Sequence, residues 1–326
     1  MLIAIGLCAV GLAALILGAE LVVRGGAQVA SHLGVSPLTV GITVVALGTS
    51  APELAVGVDA ALRGAGPLAV GNIAGTNCVN ILFILGLSAL IDPLELRRQT
   101  VRFDLPMIVI ASLMLMIMAM DGLLSRLDGA IMVGGAVFFT IAILYLARRE
   151  GRAVQGEFAD DLVQGYGVRP FDRSQVVRAA VKLAIGIAII VLGAEWLVDG
   201  GVALARLWGV SEAFIGLTIV AIGTSAPELV TAIVSTVRKE RDIAVGNLIG
   251  SSVYNIFAIL GLTALAPAAG VAVTRDLIQV DIPVMVAVGF LCVPVFLSGN
   301  RVTRLEGALF VAAYFAYLSY LIVART

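Results

Sequence analysis

The chain has 326 residues, 60% of them hydrophobic and only 13% charged, with a mean hydropathy of +1.07. Soluble domains average ~45–50% apolar and ~25% charged residues, so a disordered chain and a disulfide scaffold are excluded and a soluble enzyme is nearly so. The formal net charge of −1, from 21 basic and 22 acidic side chains, provides no field that would attract nucleic acid.

A bilayer core takes ~20 apolar residues per helix. On that measure spans are predicted near 2–23, 36–62, 67–91, 104–120 and 127–147, and a second set near 177–198, 211–237, 243–267, 278–297 and 304–323. The first run is too long for a signal peptide's apolar region and has no polar spacer with a small-residue cleavage site, so it is read as a helix. Between the sets, 148–176 is polar and contains glycine, and reads as a linker. With the N-terminus outside, sixteen of the 21 Lys and Arg fall in inside loops and five outside. The positive-inside rule then places both termini outside the cell and the linker in the cytoplasm. His32 is expected in a loop, and Cys8, Cys78 and Cys292 lie in apolar runs as small hydrophobes.

The chain repeats itself. Gly41–Leu54, GITVVALGTSAPEL, matches Gly216–Leu229, GLTIVAIGTSAPEL, at 11 of 14 positions. Ala69–Leu87 and Ala244–Leu262 share 11 of 19, at the same 175-residue offset. Weaker echoes pair Gly18-Ala19-Glu20 with Gly193-Ala194-Glu195, and Asp104-Leu105-Pro106 with Asp281-Ile282-Pro283. Each copy holds an odd five spans, so the second enters from the opposite side. The predicted fold is thus an all-α polytopic membrane protein of ten transmembrane helices in two inverted-topology five-helix repeats, 1–147 and 177–326, with the motifs at 41–87 and 216–262. Such repeats meet at a midplane binding site in many secondary transporters.

Glu53 and Glu228 lie deep in the second and seventh spans, where an ionised carboxylate costs several kcal/mol, about 3 or more. No Lys, Arg or His within either span offsets them. Their combined charge of −2 matches one divalent cation. Pro52 and Pro227 remove a helical hydrogen bond, which is expected to free carbonyls around Ala46–Gly48 and Ala221–Gly223. Thr49, Ser50, Thr224 and Ser225 add hydroxyls. Asn72, Thr76 and Asn80, like Asn247, Ser251 and Asn255, form a polar stripe along one helix face, beside Gly-x-x-x-Gly pairs (Gly71/Gly75, Gly246/Gly250) that allow close approach. Of these amides, Asn80 and Asn255 sit at mid-depth and are read as ligands. A donor set of carboxylate, amide, hydroxyl and carbonyl oxygens suits calcium or sodium and not a transition metal. Glu20, Glu195, Asp104 and Asp281, near span ends within reach of water, read as structural, as does Asp59, whose counterpart is Val234.

With GTSAPEL and GN-x-x-G-[ST]-x-x-x-N in both halves, the chain resembles the sodium/calcium exchanger family of the calcium/cation antiporter superfamily. The resemblance covers all ten spans. It implies α-repeats around four cation sites, alternating access, and a sliding gate made by the first and sixth spans. Carried over residue by residue, it implies acidic ligands Glu53 and Glu228; hydroxyl and amide ligands Thr49, Ser50, Thr76, Asn80, Thr224, Ser225, Ser251 and Asn255; and the carbonyls of Ala46 and Ala221. Well-studied members carry aspartate where this chain has Asn255, which leaves the coupling ion, sodium or proton, and the stoichiometry open. The expected partners are inorganic cations (Ca²⁺ and Na⁺, with H⁺ as the alternative) and the lipid of a prokaryotic inner membrane, with no cofactor and no obligatory protein partner.

Overall fold

The computed structural model describes residues 1–161, 173–208 and 221–325. In chain order its helices are α1 (Leu2–Leu33), α2 (Pro37–Thr49), α3 (Ala51–Leu62), α4 (Gly66–Ile91), α5 (Thr100–Asp121), α6 (Arg126–Asp161), α7 (Arg173–Leu207), α8 (Ala221–Thr224), α9 (Ala226–Val237), α10 (Arg241–Leu265), α11 (Leu277–Leu297) and α12 (Arg304–Arg325). Among the described residues eight helices are long and apolar enough to cross a bilayer, and α2 with α3 makes a further span bent by 42°. The tenth expected span, 211–237, falls partly outside the described residues, and α9, its second half, has 12 residues. α6 runs on to Asp161 and α7 begins at Arg173, so helix takes up much of the expected linker 148–176; its residues 162–172 and the 216–220 part of the second motif lie outside the described residues.

α1 and α7 run antiparallel in near backbone contact. Gly11, Gly18 and Gly25 of α1 and Gly186, Gly193 and Gly200 of α7 line the contact at seven-residue spacing on both helices, Gly18 against Gly186 and Gly11 against Gly193. A methyl group on Gly18 would stand 2.8 Å from the Gly186 carbonyl, and one on Gly193 2.9 Å from the Gly11 carbonyl. This pair shares a small apolar core with α2 and α9, while α4, α5, α6, α10, α11 and α12 enclose the main one. Large side chains such as Leu17, Ile117, Phe138 and Ile141 point outward, as lipid-facing positions do.

Two short antiparallel ribbons tie the halves together. β1 (Leu94–Glu95) pairs with β4 (Arg301–Val302), and β2 (Leu123–Leu124) with β3 (Val271–Ala272). Reciprocal capping boxes start α6 (Ser125 with Asp128) and α12 (Thr303 with Glu306) at equivalent places in the two halves. Loops expected in the cytoplasm meet through ion pairs: Arg97 with Asp242 at 2.5 Å, Arg241 with Asp92 at 2.6 Å, and Glu20 with Arg24 and Arg238 at 2.5 and 2.7 Å.

Three expectations need correction. α1 continues to Leu33, because its glycine-rich second half is held against α7, so His32 is in its last helical turn and not in a loop. Asp104 and Asp281 are buried away from water, held by Gln99 Nε2 at 3.4 Å and the Tyr317 hydroxyl at 2.8 Å. The Gly-x-x-x-Gly pairs also differ. A methyl on Gly246 would stand 2.7 Å from the Leu38 carbonyl and one on Gly250 would run into the Ile42 carbonyl, whereas one on Gly75 would meet nothing on another helix within 4 Å among the described residues.

Candidate cation site

The helix break between α2 and α3 is set by local sequence. Ser50, at φ −83° and ψ 11°, interrupts the helical run, and Pro52 sits in the first turn of α3, where its missing N–H costs nothing. Ser225, at φ −86° and ψ 2°, makes the same break before Pro227 of α9. Each glutamate thereby falls in the first turn of a new helix, where the helix dipole favours negative charge. The facing amides also share a local conformation: Asn80 is the second residue of the π-helical turn Val79–Leu85 and Asn255 the first of Asn255–Leu260. Such insertions recur at functional sites because they re-aim a side chain.

The break brings the halves into contact. The Ser50 hydroxyl donates to Glu228 Oε1 across 3.2 Å. The Thr49 and Ser251 hydroxyls are turned to the Ala46 carbonyl, at 3.3 and 3.4 Å. The Thr49 hydroxyl is also 3.0 Å from Asn247 Oδ1. Glu53, Glu228, Asn80, Asn255, Thr49, Ser50, Thr76, Thr224, Ser225 and Ser251 are all buried. Ala221 is the first residue of α8.

The proline does not free the Ala46 carbonyl. It accepts the Ser50 N–H at 3.1 Å and the Thr49 and Ser251 hydroxyls at 3.3 and 3.4 Å. Pro52 lies six residues further on, so the hydrogen bond it removes is the one to Gly48.

Several buried oxygens have no donor among the described residues: both of Glu53, Oε2 of Glu228, and Oδ1 of Asn80 and of Asn255. Ser225 Oγ is likewise unpartnered. Unpaired buried acceptors cost about 1–3 kcal/mol each and more when charged. Among the described residues no three His, Cys, Asp or Glu side chains converge; the buried polar side chains at the two breaks are carboxylates, amides and hydroxyls. Asn77, missed by the reading of the polar stripe, also lies here. It is buried and bonded to the opposite repeat. Its signal was weak because the second repeat has Ser252 in its place.

The fold is that of a polytopic helical membrane protein with buried, unpartnered carboxylate and amide oxygens. The family model for sodium/calcium exchanger protein matches residues 3–145 and 178–323, and the chain belongs to that family. It is 40% identical over 266 residues to inner membrane protein YrbG of Escherichia coli, covering 81% of this chain and 80% of that one. It is 29% identical over 335 residues to sodium/calcium exchanger MaX1 of Methanosarcina acetivorans, covering 94% and 95%. Its fold superposes on the sodium-calcium exchanger NCX_Mj, soaked with Na⁺ and Sr²⁺, with a TM-score of 0.83 at 26% identity over 98% of both chains. The protein is therefore a multi-pass membrane antiporter of the calcium-exchanging class.

Proposed function

We propose that the chain exchanges calcium for sodium at a single midplane centre built around Glu53 and Glu228, with Thr49, Ser50, Thr76, Asn80, Thr224, Ser225, Ser251, Asn255 and the carbonyls of Ala46 and Ala221 as the further ligands. The observation that carries this is the mirrored pair of helix breaks that sets two buried carboxylates among unpartnered oxygens. Two negative charges balance one Ca²⁺ or two Na⁺, so the ions compete for one set of donors. An empty site would hold uncompensated charge in the membrane, which opposes the return step and couples the two fluxes. At Ala46 the hydroxyls of Thr49 and Ser251 would turn aside to release the carbonyl to an ion.

Parity of the ribbons supports ten spans and an inverted arrangement. Strands that pair must lie on one face of the membrane, so an even number of crossings separates β1 from β4. Five long apolar helices intervene, α5, α6, α7, α10 and α11, and the expected span 211–237 would supply the sixth. Exchange of the halves also carries the β1–β4 ribbon onto β3–β2. The units are then 1–147 and 177–326, with both termini outside an inner membrane of the kind that YrbG's name specifies.

Proton coupling is the second reading. A buried carboxylate with no donor, as at Glu53, takes a proton as readily as a metal ion. The test is ⁴⁵Ca²⁺ uptake into proteoliposomes under sodium, potassium or proton gradients imposed singly. Uptake is expected with outward-directed sodium alone; uptake driven by a pH gradient without sodium would select the proton reading. Glu53→Gln and Glu228→Gln should each abolish uptake, and robust transport by either would remove the site.

A further inference from the structure

We infer that Asn77 is the positioning residue that determines which end of the Asn255 amide faces the transported cation. The inference rests on the assignment of Asn255 as a ligand. Asn77 sits on α4 between Thr76 and Cys78, buried against α10 and α11. Its Nδ2 donates to the backbone carbonyl of Ser252 at 3.0 Å, with Met285 Sδ at 3.7 Å on the same side. A backbone carbonyl only accepts, so this contact permits one orientation of the Asn77 amide. Oδ1 of Asn77 is thereby turned toward α10, where it receives Nδ2 of Asn255 at 3.1 Å. Asn255 must then present its own Oδ1 on the opposite side, where the atom is buried and has no protein donor.

A fixed acceptor on the main chain thus sets two side-chain amides in series. Reversing Asn255 would oppose two carbonyl oxygens at hydrogen-bonding distance and turn an NH₂ group toward a cation, and both changes are unfavourable. The pseudo-equivalent place lacks this device. Asn80 corresponds to Asn255, but the partner that would anchor it is Ser252, whose hydroxyl donates instead to Leu248 O at 2.8 Å. Both polar atoms of Asn80 are without partners. One amide is therefore preset as an oxygen donor and the other is free to turn, an asymmetry between repeats that are otherwise alike at the centre. Preorganisation of a ligand lowers the ordering cost on binding. Asn77 itself has both ends occupied and is not a ligand.

Calorimetric titration of the purified full-length protein with Ca²⁺ tests this. Asn255→Ala is expected to weaken binding; full affinity in that variant would remove Asn255 as a ligand, which is a failure of the proposed site and distinct from a failure of Asn77 to orient it. Asn77→Ser, which installs the residue found at the equivalent place, should weaken Ca²⁺ binding about tenfold, the equivalent of one hydrogen bond to a charged group. In an Asn255→Asp background the same change should cost nothing or restore affinity. A carboxylate offers oxygen whichever way it turns, and the serine hydroxyl can donate where Asn77 Oδ1 opposed it. An equal loss in both backgrounds marks Asn77 as packing only and overturns the proposal, as does an unchanged affinity in Asn77→Ser. A second measurement needs no variant at 77. In wild-type protein with ¹⁵N-labelled asparagine, Ca²⁺ should shift the Asn80 side-chain amide signal far more than that of Asn255, and the reverse order overturns the proposal.

Discussion

Each glutamate helix ends in the same turn, made with different residues. After α3, Gly64 N–H bonds Ala61 O and Ala65 N–H bonds Ala60 O. After α9, Lys239 bonds Thr236 O and Glu240 bonds Ser235 O. Both turns place their central residue in the left-handed region, Gly64 at φ 75° and Lys239 at φ 63°. Glycine enters that region freely, whereas a residue with a Cβ pays about 1 kcal/mol. Lys239→Gly should therefore raise the thermal midpoint of the purified protein by the equivalent of about 1 kcal/mol, and Gly64→Lys should lower it by a similar amount. Differential scanning fluorimetry of the two variants reads both shifts. Repetition is also what made residues legible at this scale. Glu53 and Glu228 stood out because the same acid occurs twice at depth, and Ser50 and Ser225 because they share its motif. Asn77 was hidden because only one repeat carries it, and its role depends on a carbonyl at Ser252 that no sequence pattern marks.

At the scale of helices, the α1–α7 pair shows what hydropathy cannot reveal. Both helices are apolar nearly all round, so no stripe indicates which side meets the partner; the glycines at 11, 18, 25 and 186, 193, 200 do so instead. Contact this close depends on the absence of side chains. Gly18→Ala should destabilise the protein by about 1–3 kcal/mol, because the added methyl meets main-chain atoms that cannot yield. Gly6→Ala on the same helix has nothing within 4 Å and should leave stability unchanged or slightly raised, since alanine is the better helix former. Equal effects of the two in a thermal melt would mean that α1 and α7 are not packed at this distance. The π-turns were illegible for another reason. Val79–Leu85 and Asn255–Leu260 contain neither proline nor glycine, so no breaker residue marks them in the sequence.

Across the whole molecule, the long apolar helices were the most legible feature, because the cost of exposed peptide groups in lipid forces helices. Eight of the ten expected spans are such helices among the described residues and a ninth is a bent pair, while charge bias supplied the expected orientation. The ion pairs agree with that reading in one respect: the loops around Asp92, Arg97, Arg238 and Arg241, assigned to one face by their arginines, are the loops that touch. The stretch from 209 to 237 carries the remaining question of parity. If it crosses once, Trp208, exposed at the end of α7, and Lys239, exposed after α9, stand on opposite faces. Single cysteines at these two places can be labelled with a membrane-impermeant maleimide in intact cells, after Cys8 is replaced; Cys78 and Cys292 are buried and inert to it. Trp208→Cys should react in intact cells and Lys239→Cys only after permeabilisation. Reaction of both before permeabilisation, or of neither, would put them on one face. Nine crossings would then remain, β1 could not share a face with β4, and the two glutamates could not enter the centre from opposite sides of the membrane.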